Sequence, residues 1–382
     1  MPKPGFNLEN IPPLVPGSCD KVGWALCIGA GSSTPLFPNW TELVSLLAQN
    51  VSSLDNTVIE QLEFSPDALI QSIKNSTNLS DKEFALVMSK ILYEKFFSQI
   101  DDRDLHAVKK ALAADFPGEC STEDWITFIE YRNTTMEHTT ANILAKTVVK
   151  SISKGIAPKA ILTFNAEPIL IAILNSYVME KALSTGHIPP KKLFSKIINS
   201  LSSQSAEQIP YVFCHGLLPI DKDYSQESVS INKMVFLEEE YLSLANNAFS
   251  WQSTMFIDTC MRQHVIFVGV SLTDPNMRRW LSWMQTNRLR EIRDNGYSVI
   301  NSTQHYWIRK KPRNKNVISW VEAAVAHLGI RLVWIDDWTQ SGLALEKLLG
   351  INDVPVFKGK RNAKSKTNKK PKYNTKNRLG TP

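Results

Sequence analysis

Cysteine is scarce in this chain and badly spaced for chemistry. Cys19, Cys27, Cys120, Cys214 and Cys260 are scattered over 382 residues, and no Cys-x-x-Cys pair occurs. That pattern builds neither a zinc ribbon nor a disulfide framework, so no metal is expected and the thiols read as reduced and buried. Long apolar runs are also missing: no window approaches 18 uninterrupted apolar residues, which argues against a membrane-spanning helix. The opening MPKPGFNLENIPPLVPGS lacks the apolar stretch of a secretory signal, so a cytoplasmic location is expected.

One segment has no acidic residue. Lys358 to Arg378 carries ten Lys/Arg and no Asp or Glu. Without them 33 basic residues face 37 acidic ones, so the net charge of +6 belongs to this tail and not to a folded face. Residues 353–382, rich in Lys, Asn and Thr, are expected to be disordered in isolation and to dock on nucleic acid or an acidic partner.

The remainder suits a large core, with 43% hydrophobic residues. Residues 1–20 read as a proline-rich arm, because Pro2, Pro4, Pro12, Pro13 and Pro16 exclude a regular helix. Trp24 to Ile28 is an apolar run stopping at Gly29, and Trp40 to Ala48 has helical spacing with Asn39 as its N-cap. Residues 50–154 read as an inserted all-helical module, one of whose helices opens at Ser121-Thr122-Glu123-Asp124. Further apolar runs without alternation then recur, at Ala160–Phe164, Tyr211–Cys214, Val265–Val270, Tyr306–Ile308 and Arg331–Ile335. Helical patterns separate most of them, notably Glu167–Ala182, Glu238–Leu244 and Pro275–Arg290. Alternation of this kind predicts an α/β fold, a doubly wound and mostly parallel Rossmann-like sheet.

Four motifs punctuate the ends of these strands. Gly29-Ala30-Gly31-Ser32-Ser33 is a glycine turn whose N–H groups can approach a pyrophosphate at a helix N-terminus, or simply a tight strand-to-helix turn. A hydride-transfer enzyme is disfavoured, because Thr34 stands where a third glycine would be wanted and the chain beyond it reads as helix. Thr163-Phe164-Asn165-Ala166-Glu167 places an Asn where open α/β sheets bind ligands, to hold a ribose hydroxyl or a water, or to cap the next helix. Cys214-His215-Gly216 offers a histidine as a base near neutral pH, or a half-buried structural ring. In Gly269-Val270-Ser271-Leu272-Thr273-Asp274-Pro275, Ser271 is free to reach a phosphate or ribose, whereas helix capping accounts fully for Asp274.

In this order the four motifs resemble those of the sirtuin family, over residues 23–48 and 155–350. GAGSS followed by Pro38-Asn39-Trp40 looks like its first nucleotide-binding loop, TFNAE its Thr-x-Asn-x-Asp loop, HG its His-Gly and GVSL its Gly-x-Ser segment. Phe236 to Tyr241 (FLEEEY) and IFVGVSLTDPNMRRWL are similar to the antiphage branch that degrades NAD, with an organisation closest to the subunit paired with a HerA ATPase. The resemblance implies a catalytic domain made of residues 21–49 and 155–352 that hydrolyses NAD without a metal. It implies catalytic roles for Asn165 and His215, with Gly29, Ala30, Gly31, Ser32, Ser33, Trp40, Thr163, Glu167 and Ser271 binding the dinucleotide. Glu167 stands where the family has Asp. A homo-oligomer and a HerA-type hexameric ATPase are the partners implied. A protein deacylase ranks behind, since the four-cysteine zinc module of deacetylases cannot be built here. The alternative from another class is a non-catalytic NAD-binding scaffold that holds nucleic acid through its tail.

Overall fold

Apolar runs that do not alternate need cover on both faces, and the computed structural model supplies it. Residues 4–14, 23–52, 59, 61–186, 192–200, 202, 205–220, 235–247, 250–296 and 304–351 are described. Among them one parallel sheet contains β1 (Phe6–Asn7), β2 (Gly23–Ile28), β3 (Ile161–Thr163), β4 (Phe194–Ile197), β5 (Ile209–Phe213), β6 (Gln263–Val268), β7 (His305–Lys310) and β8 (Ile330–Ile335). Their order across the sheet is β1-β8-β7-β6-β2-β3-β5-β4. Alternate side chains enter two apolar layers: Leu26 and Ile28 of β2, with Ile266 and Val268 of β6, face one, while Ala25, Cys27, Val265 and Phe267 face the other. This is the doubly wound α/β architecture that the sequence predicts.

Helix α1 (Trp40–Leu47) follows β2, and α2 (Pro66–Asn75), α3 (Asp81–Phe97), α4 (Asp102–Ala113), α5 (Thr122–Thr135) and α6 (Thr140–Ser153) precede β3. Ser80 closes a capping box with Glu83, and Ser121 accepts from the Asp124 N–H, so the starts of α3 and α5 are written locally. After β3 comes α7 (Ile169–Thr185), buried at every position from Ile169 to Ser176. A helix apolar all round needs neighbours on all sides, and α4, α5 and α6 pack against it. Arg132 of α5 locks this layer: its guanidinium is buried, lies 3.8 Å over the Tyr177 ring, and donates to Ser176 Oγ (2.8 Å) and Glu180 Oε2 (2.7 Å). The helices between α1 and β3 share one continuous apolar core with that face of the sheet.

The other face is covered by α9 (Trp251–Arg262), which follows the shorter α8 (Glu238–Asn246), and by α10 (Pro275–Asp294). Helices α11 (Lys315–Ala326) and α12 (Ser341–Leu349) flank β8. Two strands were not expected from the sequence. β1 lies inside the arm read as extended and proline-rich, where no sheet strand was expected, and pairs Phe6 with Val333. β4 pairs with β5 at the opposite edge, and its Ser195 and Lys196 disguise it. The expectations for residues 15–20 and for the basic tail from residue 353 lie outside the described residues. No helix among the described residues is long and apolar enough to cross a membrane.

Candidate functional site

The strand order puts the carboxyl ends of β5, β3, β2, β6 and β7 side by side. Chain order reverses at β2, between β3 on one side and β6 on the other, which is where open α/β sheets bind ligands. A cavity of about 620 Å³ opens there, lined by Gly29, Ala30, Gly31, Trp40, His215 and Ser271 among others. All four strand-end motifs thus meet on one edge.

The glycine turn differs from its expected form. Ala30–Ser32 is a 3₁₀ turn, and the α-helix begins only at Trp40, where Asn39 and Glu42 form a capping box. The helix N-terminus facing the cavity is therefore at Asn39–Thr41, not at the glycines. Most N–H groups of the turn are already used: Gly29 donates to Val268, Gly31 to Gly269 (3.0 Å), Ser32 to Gly29 (2.8 Å) and Ser33 to Ala30. The glycines serve close backbone packing, since a Cβ on Gly29 would come 2.8 Å from the Gly269 carbonyl oxygen. Ser32 is buried, donates its hydroxyl to the Gly29 carbonyl, and lines neither this cavity nor the smaller one beside it.

That smaller cavity, about 20 Å³, is lined by Asn165, Glu167, Ser33 and Leu92. Its size suits a single water. Ala30, Trp40 and Phe164 line both cavities. Asn165 is fixed from several directions: its N–H donates to Thr163 Oγ1 (3.0 Å), and its Nδ2 to Glu167 Oε1 (2.8 Å) and Ser33 Oγ (3.1 Å). Its Oδ1 is buried without a hydrogen-bond partner among the described residues. An unpaired buried carbonyl costs about 1–3 kcal/mol, so it marks a place for a ligand donor. Thr163 is fully buried and lines neither cavity; it positions Asn165. The helix-capping role considered for Asn165 falls to Glu167, whose Oε2 accepts from the Ile169 N–H at 2.7 Å.

Burial pushes the Glu167 carboxyl up to about 7, against hydrogen bonds from Ile169, Ser33 and Asn165 that pull it down. With a folded-state value above the ordinary 4.5, Glu167 binds its proton more tightly in the native state. Stability should therefore fall as pH rises from about 4.5 to 7, by on the order of 3 kcal/mol for this group. Glu167→Gln stays uncharged, so its denaturant midpoint should fall less than the wild-type midpoint between pH 4.5 and 8, apart from a pH-independent cost for the weakened cap. Parallel pH profiles would show that Glu167 does not titrate in this window.

His215 follows β5 and is buried. Its Nε2 lies 3.4 Å from Asp274 Oδ2, its Nδ1 lies 3.2 Å from the Tyr241 hydroxyl, and Phe164 meets the ring edge-on at 4.8 Å. Asp274 does cap α10, through Oδ1 and the N–H groups of Asn276 and Met277, but that leaves Oδ2 for the histidine. Burial raises the Asp274 carboxyl; His215 and the two N–H groups outweigh it and hold it below the usual carboxylate range. Capping was thus an incomplete account of Asp274. Tyr241, on α8, is the other residue that sequence reasoning did not single out; the FLEEEY run that contains it was its only signal. Ser271 stands exposed at the mouth of the cavity, its hydroxyl 2.6 Å from that of Thr273.

The two clusters are tied together behind the cavity. The Leu218 N–H donates to the Ala166 carbonyl (2.9 Å), while Tyr93 of α3 donates to the Leu218 carbonyl (3.0 Å) and Ser89 to that of Pro219. Helix α3 thus anchors the loop after His215 to the loop bearing Asn165. Among the described residues no group of His, Cys, Asp and Glu is arranged to hold a metal ion.

Residues 177–329 match the family model of the SIR2-like domain. The match includes His215, Tyr241, Ser271 and Asp274, and leaves the glycine turn and Asn165 outside it. No curated protein matches the chain. Together with the sheet order, the match supports a relationship of this chain to the Sir2 family, whose SIR2-like domains use NAD.

Proposed function

We propose that the protein hydrolyses NAD to nicotinamide and ADP-ribose. The observation that carries this reading is the unpartnered, buried Oδ1 of Asn165, beside Glu167 in a cavity sized for one water and next to the larger cavity that holds His215. Asn165 Oδ1 would accept a hydrogen bond from the attacking water or the nicotinamide ribose. The water oxygen bonds to C1′ of that ribose as the C1′–N bond breaks, and the bonding pair leaves with the nicotinamide nitrogen. The transition state carries positive charge on the ribose, which fixed carbonyl and carboxylate groups stabilise without reorganising.

The water also releases a proton. Asp274 holds His215 Nε2, leaving Nδ1 as the acceptor, and the Tyr241 hydroxyl occupies that acceptor position at the cavity wall. For a water that attacks C1′ within the larger cavity, which Tyr241 lines, the proton would pass to the Tyr241 oxygen as the tyrosine proton moves to Nδ1. The imidazolium so formed faces the Asp274 carboxylate. Depletion of NAD as an antiphage effector, a homo-oligomeric state and pairing with a HerA-type ATPase belong to the same proposal, and they rest on the resemblance of the FLEEEY and GVSLTDPNMRRWL segments.

The test is incubation of the purified protein with NAD, alone and with a HerA-type ATPase, and quantification of nicotinamide and ADP-ribose. Equal amounts of the two products are expected. NAD left intact in both mixtures would overturn the proposal.

A further inference from the structure

The cavity is polarised along the sheet. Its lining carboxylates sit at the β5 end: Asp274 lies against His215, and the charges of both Asp274 and Asp67 act on Tyr241. At the opposite end, beyond β6, the lining consists of Trp307 and Arg309 of β7 together with Trp338. Four strand spacings separate β5 from β7, roughly 19 Å. The glycine turn after β2 is midway, two spacings or roughly 10 Å from β7.

Arg309 is the cation of that far end. Its guanidinium stacks on the Trp307 ring, 4.5 Å from the centroid, which fixes the fork without using its N–H donors. Among the described residues no carboxylate forms an ion pair with it, whereas the adjacent Lys310 faces Asp337 at 3.5 Å. Burial without a compensating anion lowers its pKa from the usual guanidinium value. A half-buried arginine with its donors free, on the wall of a nucleotide-sized cavity, is suited to a bidentate phosphate contact.

The geometry points to Arg309 as a phosphate-binding subsite that takes the 2′-phosphate of an NADP-type dinucleotide. This inference rests on the reading of the cavity as a dinucleotide site. With the nicotinamide end at His215 and the pyrophosphate at the middle of the cavity, near the N-terminus of α1 at Asn39–Thr41, the adenosine ribose falls beside β7, and Trp307 and Trp338 supply apolar surface for the base. Sites that select the unphosphorylated ribose hold its 2′-hydroxyl with an acidic residue, while an arginine accommodates the 2′-phosphate. The β7 end of this cavity has an arginine and, among the described residues that line it, no carboxylate.

Calorimetric titration of the full-length protein with adenosine 2′,5′-bisphosphate and with adenosine 5′-phosphate tests the subsite without requiring turnover. The bisphosphate should bind more tightly. Arg309→Ala should weaken the bisphosphate roughly 10- to 100-fold, the scale of a charge-assisted contact, and leave the monophosphate nearly unchanged. Arg309→Gln should behave like the alanine variant, and Lys310→Ala, whose charge already faces Asp337, should leave both affinities within about twofold. Equal affinity for the two nucleotides in the wild type, or equal losses in the Arg309 and Lys310 variants, would overturn the subsite. If NAD is cleaved under those results, the dinucleotide reading stands and only the subsite fails. If NAD is not cleaved and the bisphosphate binds through Arg309, the subsite stands and the hydrolase reading fails.

Discussion

Asn165→Ala should lower nicotinamide release at saturating NAD at least about 100-fold, the scale of a positioned polar group in a water-excluded site. The expectation follows from what the side chain does and does not contact. Its Nδ2 is committed to Glu167 and Ser33, so the amide cannot rotate, and Oδ1 is the free polar atom. Alanine removes that oxygen together with a donor to Glu167. The carboxyl then keeps its burial and loses one of the hydrogen bonds that hold its pKa down at about 7, so its pKa should rise further. The substitution is not silent for stability, because it leaves Ser33 and Glu167 with an unmet acceptor in a buried place, at a cost of about 1–3 kcal/mol. A cooperative thermal transition, lowered but present, should therefore accompany the loss of activity. Near-normal nicotinamide release from the folded variant would remove Asn165 from the chemistry.

Most of the fold was legible in the chain because its strands are covered on both faces and so are written as unbroken apolar runs. Trp24–Ile28 and Val265–Val268 needed no other signal. The edges were less legible. β1 is two residues long, too short for any period, and depends on β8 for its existence. In the site, strand-end residues stood out because each interrupts an apolar run; Asn165 and His215 are of this kind. What escaped were the partners of His215, brought in from distant parts of the chain. Asp274 displays a local role in the sequence, the Pro-initiated helix it caps, and that role concealed its second oxygen. Tyr241 lies among three glutamates on α8, where nothing local distinguishes a ring turned toward His215 from one turned to solvent. The glycine turn was recognised from composition, but its true constraint is the Gly269 backbone against which it packs.

Gly269→Ala tests that constraint and should produce the largest loss of stability among single-methyl additions at this edge. Gly269 has φ = 67°, a left-handed conformation that costs a residue with a Cβ about 1–2 kcal/mol. The added Cβ would also overlap the Ser32 nitrogen and come 2.8 Å from the Gly31 carbonyl carbon, both backbone atoms that no rotamer change can move. Such overpacking adds about 1–3 kcal/mol. For a domain of this size the sum corresponds to a thermal midpoint lower by roughly 4–15 °C. Gly296→Ala is the control, with φ = 73° and no atom within 4 Å of its Cβ, so only the conformational cost remains. The two variants should also differ in function. Relieving the clash at Gly269 pushes the Ala30–Ser32 turn away from its hydrogen bond to the Gly269 carbonyl, and with it the Ser33 hydroxyl that steadies Asn165. Gly269→Ala should therefore lose NAD cleavage at temperatures where it is still folded, while Gly296→Ala keeps it. Equal thermal midpoints for the two variants would mean that the β2 turn and the β6 loop are not packed backbone to backbone, and the cavity they frame would need a different shape.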